Sequence, residues 1–191
     1  MGRPRRISAD RLLEAAGAVI GRVGPGFTLA AVAEEAGVSV GSVAGRFGSR
    51  HGLLVALTEA GTAAVVTRMR ETAAAAPDAR TGVREALTAA FGGLDDPETA
   101  VNHLGQLGVD VADPALRELL GAHYRALEAE VAAVLGRDRA REWSAPEAAV
   151  AARVLVATAN GTAFDWSVRP RGRLTDRLAH DLDLCLRSWW T

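Results

Sequence analysis

The chain contains no lysine; all 22 of its basic residues are arginine. We read that as codon bias toward arginine and not as a site. Cysteine occurs once, at Cys185, and aromatics make up only 5% of 191 residues. A lone cysteine excludes an intrachain disulfide and suits a reducing compartment, so a cytoplasmic location is expected. Long apolar runs are missing too. The most apolar stretch, 145–163, is interrupted by Glu147, Arg153 and Asn160, so it reads as a buried helix and not as a membrane span. The basic residues near the start are followed by no apolar h-region or small-residue cleavage site, so no signal peptide is expected.

The groups that enzymes need are also scarce. The four histidines, at 51, 103, 123 and 180, fall in four different expected helices and form no HxxxH or HExxH spacing. No segment alternates as a strand does, so no glycine-rich phosphate loop can follow one. Cys185 lies on the apolar face of the expected last helix, where packing is a far commoner role than catalysis. Neither catalysis, a metal nor a cofactor is expected.

What the sequence does contain is concentrated in 28–50, TLAAVAEEAGVSVGSVAGRFGSR. Thr28, Ser39 and Ser49 each stand where a helix needs an N-cap, since a hydroxyl there accepts a bond from an orphan backbone N–H. Leu29, Val32, Ala33 and Ala36 fall at i, i+3, i+4 and i+7 and form one apolar face. Gly37 suits the left-handed turn after that helix. Val38, Val43 and Phe47 can close a small core from the turn and the second short helix. Two helices joined by such a turn make a helix-turn-helix, whose second helix can enter a DNA major groove. A helical hairpin that binds nothing has the same pattern.

The run from about Ile7 to Leu54 resembles the DNA-binding domain of TetR-type (tetracycline-repressor-like) transcriptional regulators. The matching residues are Ala15-Ala16, Gly24, Gly26, Phe27-Thr28, the run Val32 to Ser39, Gly41-Ser42, Phe47, Ser49-Arg50 and Leu53-Leu54. The resemblance implies an all-α protein of about nine helices. Three would form a DNA-binding head over 1–50, and the remainder a body over 51–191 for effector binding and dimerisation. It implies a homodimer on a double-stranded, pseudo-palindromic operator, released by an unidentified small-molecule effector, with repression the commoner outcome. Carried over to this sequence, the DNA-contacting positions are Thr28, Ser39, Val40, Gly41, Ser42, Ala44, Gly45, Arg46 and Arg50. Ser42 would offer a hydroxyl to a phosphate or base edge, Arg46 would contact a guanine edge or phosphate, and Arg50 would hold a phosphate. Ala44 departs from the family, which usually places a phosphate-binding Tyr there. A helical interaction module that has lost specific DNA binding is therefore the alternative reading.

Charge agrees with a DNA-binding head. Residues 1–50 hold seven Arg against four acids, whereas the rest hold 15 Arg against 19 acids. Arg5 and Arg6, in the GRPRR arm, could reach phosphates or a narrow minor groove, or belong to a solubilising tail.

Further along, the spacing predicts helices over 8–23, 49–75, 79–91, 97–109 and 114–135, then one from a capping box at Ser144-Glu147 to 168, and a last one over 173–189. Asp96-Pro97 and Asp113-Pro114 are start signals, with Asp as N-cap and Pro at the first helical position. Candidate ligand contacts are Asn102, His103, Gln106, His123, Tyr124, Asn160, Phe164 and Trp166, on three helices of the kind that enclose the family's pockets. Helix 144–168, rich in Ala and carrying Gly161, is expected to pack on its own subunit and on a partner copy.

Overall fold

The computed structural model describes residues 7–137 and 147–189. Among these residues all regular structure is helical: α1 (Ala9–Val23), α2 (Leu29–Ala36), α3 (Val40–Phe47), α4 (Arg50–Ala75), α5 (Ala79–Phe91), α6 (Pro97–Ala112), α7 (Pro114–Leu135), α8 (Ala148–Val168) and α9 (Leu174–Arg187). Short 3-10 turns at Gly24–Gly26 and Gly92–Leu94 follow α1 and α5.

Local chemistry sets most of the boundaries. Ser8, Thr28, Ser39, Ser49, Asp78, Asp96 and Asp113 each cap the helix that follows by accepting a backbone N–H in its first turn. Each such cap is worth about 0.5–2 kcal/mol against alanine. α6 runs three residues beyond the expected end, because its chain stays helical until Asp113 takes over as the next cap. α8 begins at Ala148 with Glu147 at its N-cap, and no side-chain cap bond is made there. The expected capping partner, Ser144, lies outside the described residues.

Two cores are joined by one helix. The head packs Leu12, Val19 and Ile20 of α1 against Val32, Val43, Leu53 and Leu54, and also takes in Leu116 from α7. The body core joins Met69, Val83, Leu87, Leu127, Val131, Leu155, Val156, Leu182 and Leu186. α4 contributes Leu53 and Leu54 to the first core and Met69 and Ala73 to the second. It therefore links head and body, as expected for a helix that starts in one and ends in the other. Its 26 residues span about 39 Å at 1.5 Å rise each. By length and composition it is the one helix among the described residues apolar enough to cross a membrane. Here it packs against α5 and α7, and its Arg70 makes a two-pronged bond to Glu130, with Nε–Oε2 at 2.8 Å.

α8 explains why its sequence is apolar on more than one side. Ala151, Ala152, Leu155, Val156 and Ala159 are buried, and the small residues among them let α7 and α9 approach closely. The opposite face leaves Val150, Ala157, Gly161, Phe164 and Val168 exposed, the last two at 56% and 67%. On α9, Leu174, Leu178, Leu182 and Leu186 are fully buried while Leu184 faces outward.

Candidate DNA-reading surface and effector cavity

The helix-turn-helix is built by its turn. Gly37 takes φ 70° and ψ 36°, the left-handed conformation that closes α2, and the Val38 N–H bonds back to the Ala33 carbonyl at 2.9 Å. Val43 then inserts completely into the head core, which fixes the rotation of α3. The rotation leaves Val40, Gly41, Ser42, Gly45 and Arg46 exposed on the outer face, with Ala44 half-buried beside them. Ser39 Oγ accepts the Ser42 N–H at 3.2 Å and lies 2.9 Å from Ser42 Oγ. Thr28 Oγ1 accepts the Ala31 N–H at 3.1 Å. The Thr28 hydroxyl is thus committed as an acceptor and keeps its proton for an anion, while one hydroxyl of the Ser39–Ser42 pair donates to the other and one proton of the pair stays free.

Arg50, expected to hold a phosphate on DNA, turns its side chain back into the protein here. Nη2 donates to the Pro25 carbonyl at 2.8 Å, Nε to the Phe27 carbonyl at 3.3 Å, and the guanidinium carbon sits 4.2 Å from the centroid of the Phe27 ring. The residue fastens the start of α4 to the chain leaving α1. Arg22 is likewise engaged, with Glu35 at 2.6 Å. Of the four described head arginines, Arg11 and Arg46 remain exposed without a partner. Arg5 and Arg6 lie outside the described residues.

The body holds a cavity of about 810 Å³ between α4, α6, α7 and α8. Six of the eight expected ligand residues line it together: His103, Gln106, His123, Tyr124, Asn160 and Phe164. Two do not. Asn102 points toward the head and donates from Nδ2 to the Gly21 carbonyl at 2.9 Å. Trp166 is 1% exposed and packs with Phe91, Leu174 and Leu178, its indole N–H reaching the Gly172 carbonyl at 3.3 Å. Two positions apart on a helix point nearly opposite ways, so Phe164 and Trp166 could not share one surface.

Sequence reasoning missed the lining residues Arg68 and Asp110. Asp110 was hidden because α6 was expected to end at Val109. Its carboxyl is pushed above the usual range by burial, against the Gln106 amide, which bonds it at 2.7 Å, and the Arg50 charge. Burial also lowers the pKa of His103 and His123 and raises that of the Tyr124 phenol. The Thr62 hydroxyl donates its single proton to the Thr58 carbonyl at 2.8 Å, so the 2.9 Å contact to His123 Nδ1 makes that nitrogen the donor. Nε2 of His123 is then an acceptor.

α6 belongs to both sites. Besides lining the cavity, it carries Asn102 on the Gly21 carbonyl and Gly105 against Pro25, where a Cβ at 105 would come within 3.2 Å of the proline ring. Gly24, at φ 61° and ψ −144°, faces Asn102 so closely that a Cβ would lie 3.0 Å from its side-chain oxygen. Beside this contact His51 Nδ1 lies 3.5 Å from Asp113 Oδ2, the carboxylate that caps α7.

A helix-turn-helix head on a helical body with a half-open cavity is the architecture of a DNA-binding transcriptional regulator. Residues 12–57 match the family described as bacterial regulatory proteins, tetR family. The chain is 35% identical over 158 residues to the HTH-type transcriptional regulator BetI of Burkholderia mallei, covering 76% of this chain and 78% of that one. The chain belongs to the tetR family of transcriptional regulators. Solved structures share the fold. A transcriptional regulator from a Rhodococcus species superposes with TM-score 0.76 at 23% identity, covering 96% and 98% of the two chains. SmeT, the repressor of a Stenotrophomonas maltophilia multidrug efflux pump, gives 0.72 at 21% identity, covering 97% and 91%. FadR from Bacillus subtilis, in complex with stearoyl-CoA, gives 0.72 at 19% identity, covering 93% and 97%.

Proposed function

We propose that this regulator is a repressor that holds a pseudo-palindromic operator as a homodimer and lets go when a small molecule fills the body cavity. The observation that carries the reading is the double attachment of α6: His103, Gln106 and Asp110 line the cavity, while Asn102 and Gly105 of the same helix grip the end of α1 and the turn after it. A ligand that displaces α6 also displaces the head, and a dimer is sensitive to that because its two reading helices must meet major grooves about 34–36 Å apart. The sign of regulation follows SmeT, which is a repressor. The exposed row Ala157, Gly161, Phe164 and Val168 of α8, with Leu184 of α9, suits the contact between copies. On DNA, Arg46 and Ser42 would meet base edges or phosphates, with Arg5 and Arg6 supplying charge from the arm. Selection of bound sequences from a random duplex library tests this. The expected product is an inverted repeat with half-sites one helical turn apart. Recovery of no preferred sequence would favour the alternative, an interaction module without specific readout, for which the sparse recognition helix and the inward turn of Arg50 are the motivation.

A further inference from the structure

The cavity that the proposed function treats as the effector site has an uneven distribution of polar atoms. Its wall is mostly apolar, with Leu54, Leu57, Leu104, Leu107, Leu120 and Leu127 among the lining residues. Gln106 is 4% exposed, and its amide orientation is set by Asp110, which takes the Nε2 donor at 2.7 Å. That leaves Gln106 Oε1 as the one buried side-chain oxygen among the described residues that no donor reaches. A buried acceptor left unpaired is costly, and the cost is relieved by a ligand that brings an N–H or O–H donor. Among the described residues, Asp110 is the only carboxylate on the lining. His123 adds a second neutral acceptor through Nε2, as its Nδ1 proton is committed to Thr62. Arg68 is the one lining cation; it is exposed and leans on the Ala89 carbonyl at 3.4 Å.

We propose that the cavity selects an amine effector, a protonated nitrogen bearing N–H donors on an apolar body, with the nitrogen seated between Gln106 Oε1 and the Asp110 carboxylate. An ammonium group offers three donors and a positive charge, which matches an unpaired amide oxygen beside a carboxylate. A carboxylate or phosphate head placed at the same point would face two acceptors and no donor. An alcohol would satisfy Gln106 without answering the charge of Asp110. The apolar body would lie along the leucines, where burial rewards each methylene.

The test uses three probes with one apolar body and different heads: octylamine, octanol and octanoate. Each is titrated calorimetrically into the full-length protein, so binding is read without DNA. Octylamine is expected to bind at least tenfold more tightly than either of the others. Gln106→Leu and Asp110→Asn should each remove most of that preference, and Gln106→Leu should weaken octanol as well, with an unchanged thermal melt by circular dichroism certifying that each variant is folded. Equal binding of the three probes, or a preference for octanoate directed by Arg68, would overturn the amine assignment and leave the cavity as an effector site. Failure of all three to bind would overturn the cavity reading as well. Operator release is measured separately: octylamine that binds but does not release DNA would refute the proposed coupling through α6 and not the ligand class.

Discussion

Replacing Arg50 with Ala removes three contacts at once, two hydrogen bonds to the Pro25 and Phe27 carbonyls and the stacking over Phe27. Hydrogen bonds from a charged donor are worth about 1.5–3 kcal/mol each, and a cation–π contact at a partly exposed site about 0.5–1 kcal/mol. Arg50 is half-exposed, so water recovers a good part of this once the side chain is gone. A net loss of about 2–3 kcal/mol is reasonable. For a chain of 191 residues that lowers the melting temperature by roughly 4–12 °C, at about 2–4 °C per kcal/mol. Arg50→Lys keeps the charge but loses the planar fork, so it should fall between wild type and Ala. Thermal melts followed by circular dichroism measure the loss, and operator binding across a salt series measures the other possibility. Were Arg50 a phosphate clamp, its removal would leave the melt unchanged and flatten the salt slope by about one per subunit. That pair of results would refute the inward assignment.

Ala44→Tyr is expected to restore one phosphate contact per subunit, worth about 0.5–1.5 kcal/mol each, and to tighten operator binding roughly ten- to a hundredfold at about 1.4 kcal/mol per decade. Titration at fixed salt checks this, with the preferred sequence unchanged; weaker binding would mean that α3 docks differently. Gly24→Ala places a Cβ where φ is 61° and where Asn102 Oδ1 is 3.0 Å away. It should cost roughly 1–3 kcal/mol, read as a lower melting temperature; an unchanged melt would show that the junction tolerates rearrangement. Ala157→Glu combined with Leu184→Glu puts charges into the exposed α8–α9 face and should convert a dimer to monomers in sedimentation at micromolar concentration. A double variant that sediments as a dimer would place the interface elsewhere.

The head and the helix order were legible in the sequence because their causes are local. A cap such as Ser39 or Asp113 acts on residues two or three positions away, and a helix face repeats within a few residues. The inward contacts of Arg50 were not legible because its partners stand 23 and 25 positions earlier, a distance that no periodicity encodes. The cavity was partly legible: polar residues on three expected helices pointed to it, and six of the eight line it. Trp166 failed because α8 is apolar around most of its circumference, so its pattern does not tell which aromatic faces which neighbour. Asn102 failed because it lies one residue from His103, and that step of about 100° on a helix turns it from the cavity toward α1. The contribution of Asp110 depended on three extra helical residues that a cap-based boundary could not supply.

The arrangement of α6 has a consequence for how such a regulator can diversify. His103, Gln106 and Asp110 recur at intervals of three and four and line the cavity, while Asn102 and Gly105 occupy the neighbouring row against the head. Two tasks are therefore written on one helix in separate rows of letters. His103 also lies against Gly21 of α1, but substitutions at Gln106 and Asp110 can change which molecule is welcomed without touching the Asn102 and Gly105 contacts, and a lineage can acquire a new inducer while keeping an old operator. Insertion or deletion of a single residue within α6 would rotate both rows together and cost both tasks at once. Descendants of such a chain should thus vary freely at 106 and 110, but seldom in the length of the helix that carries them.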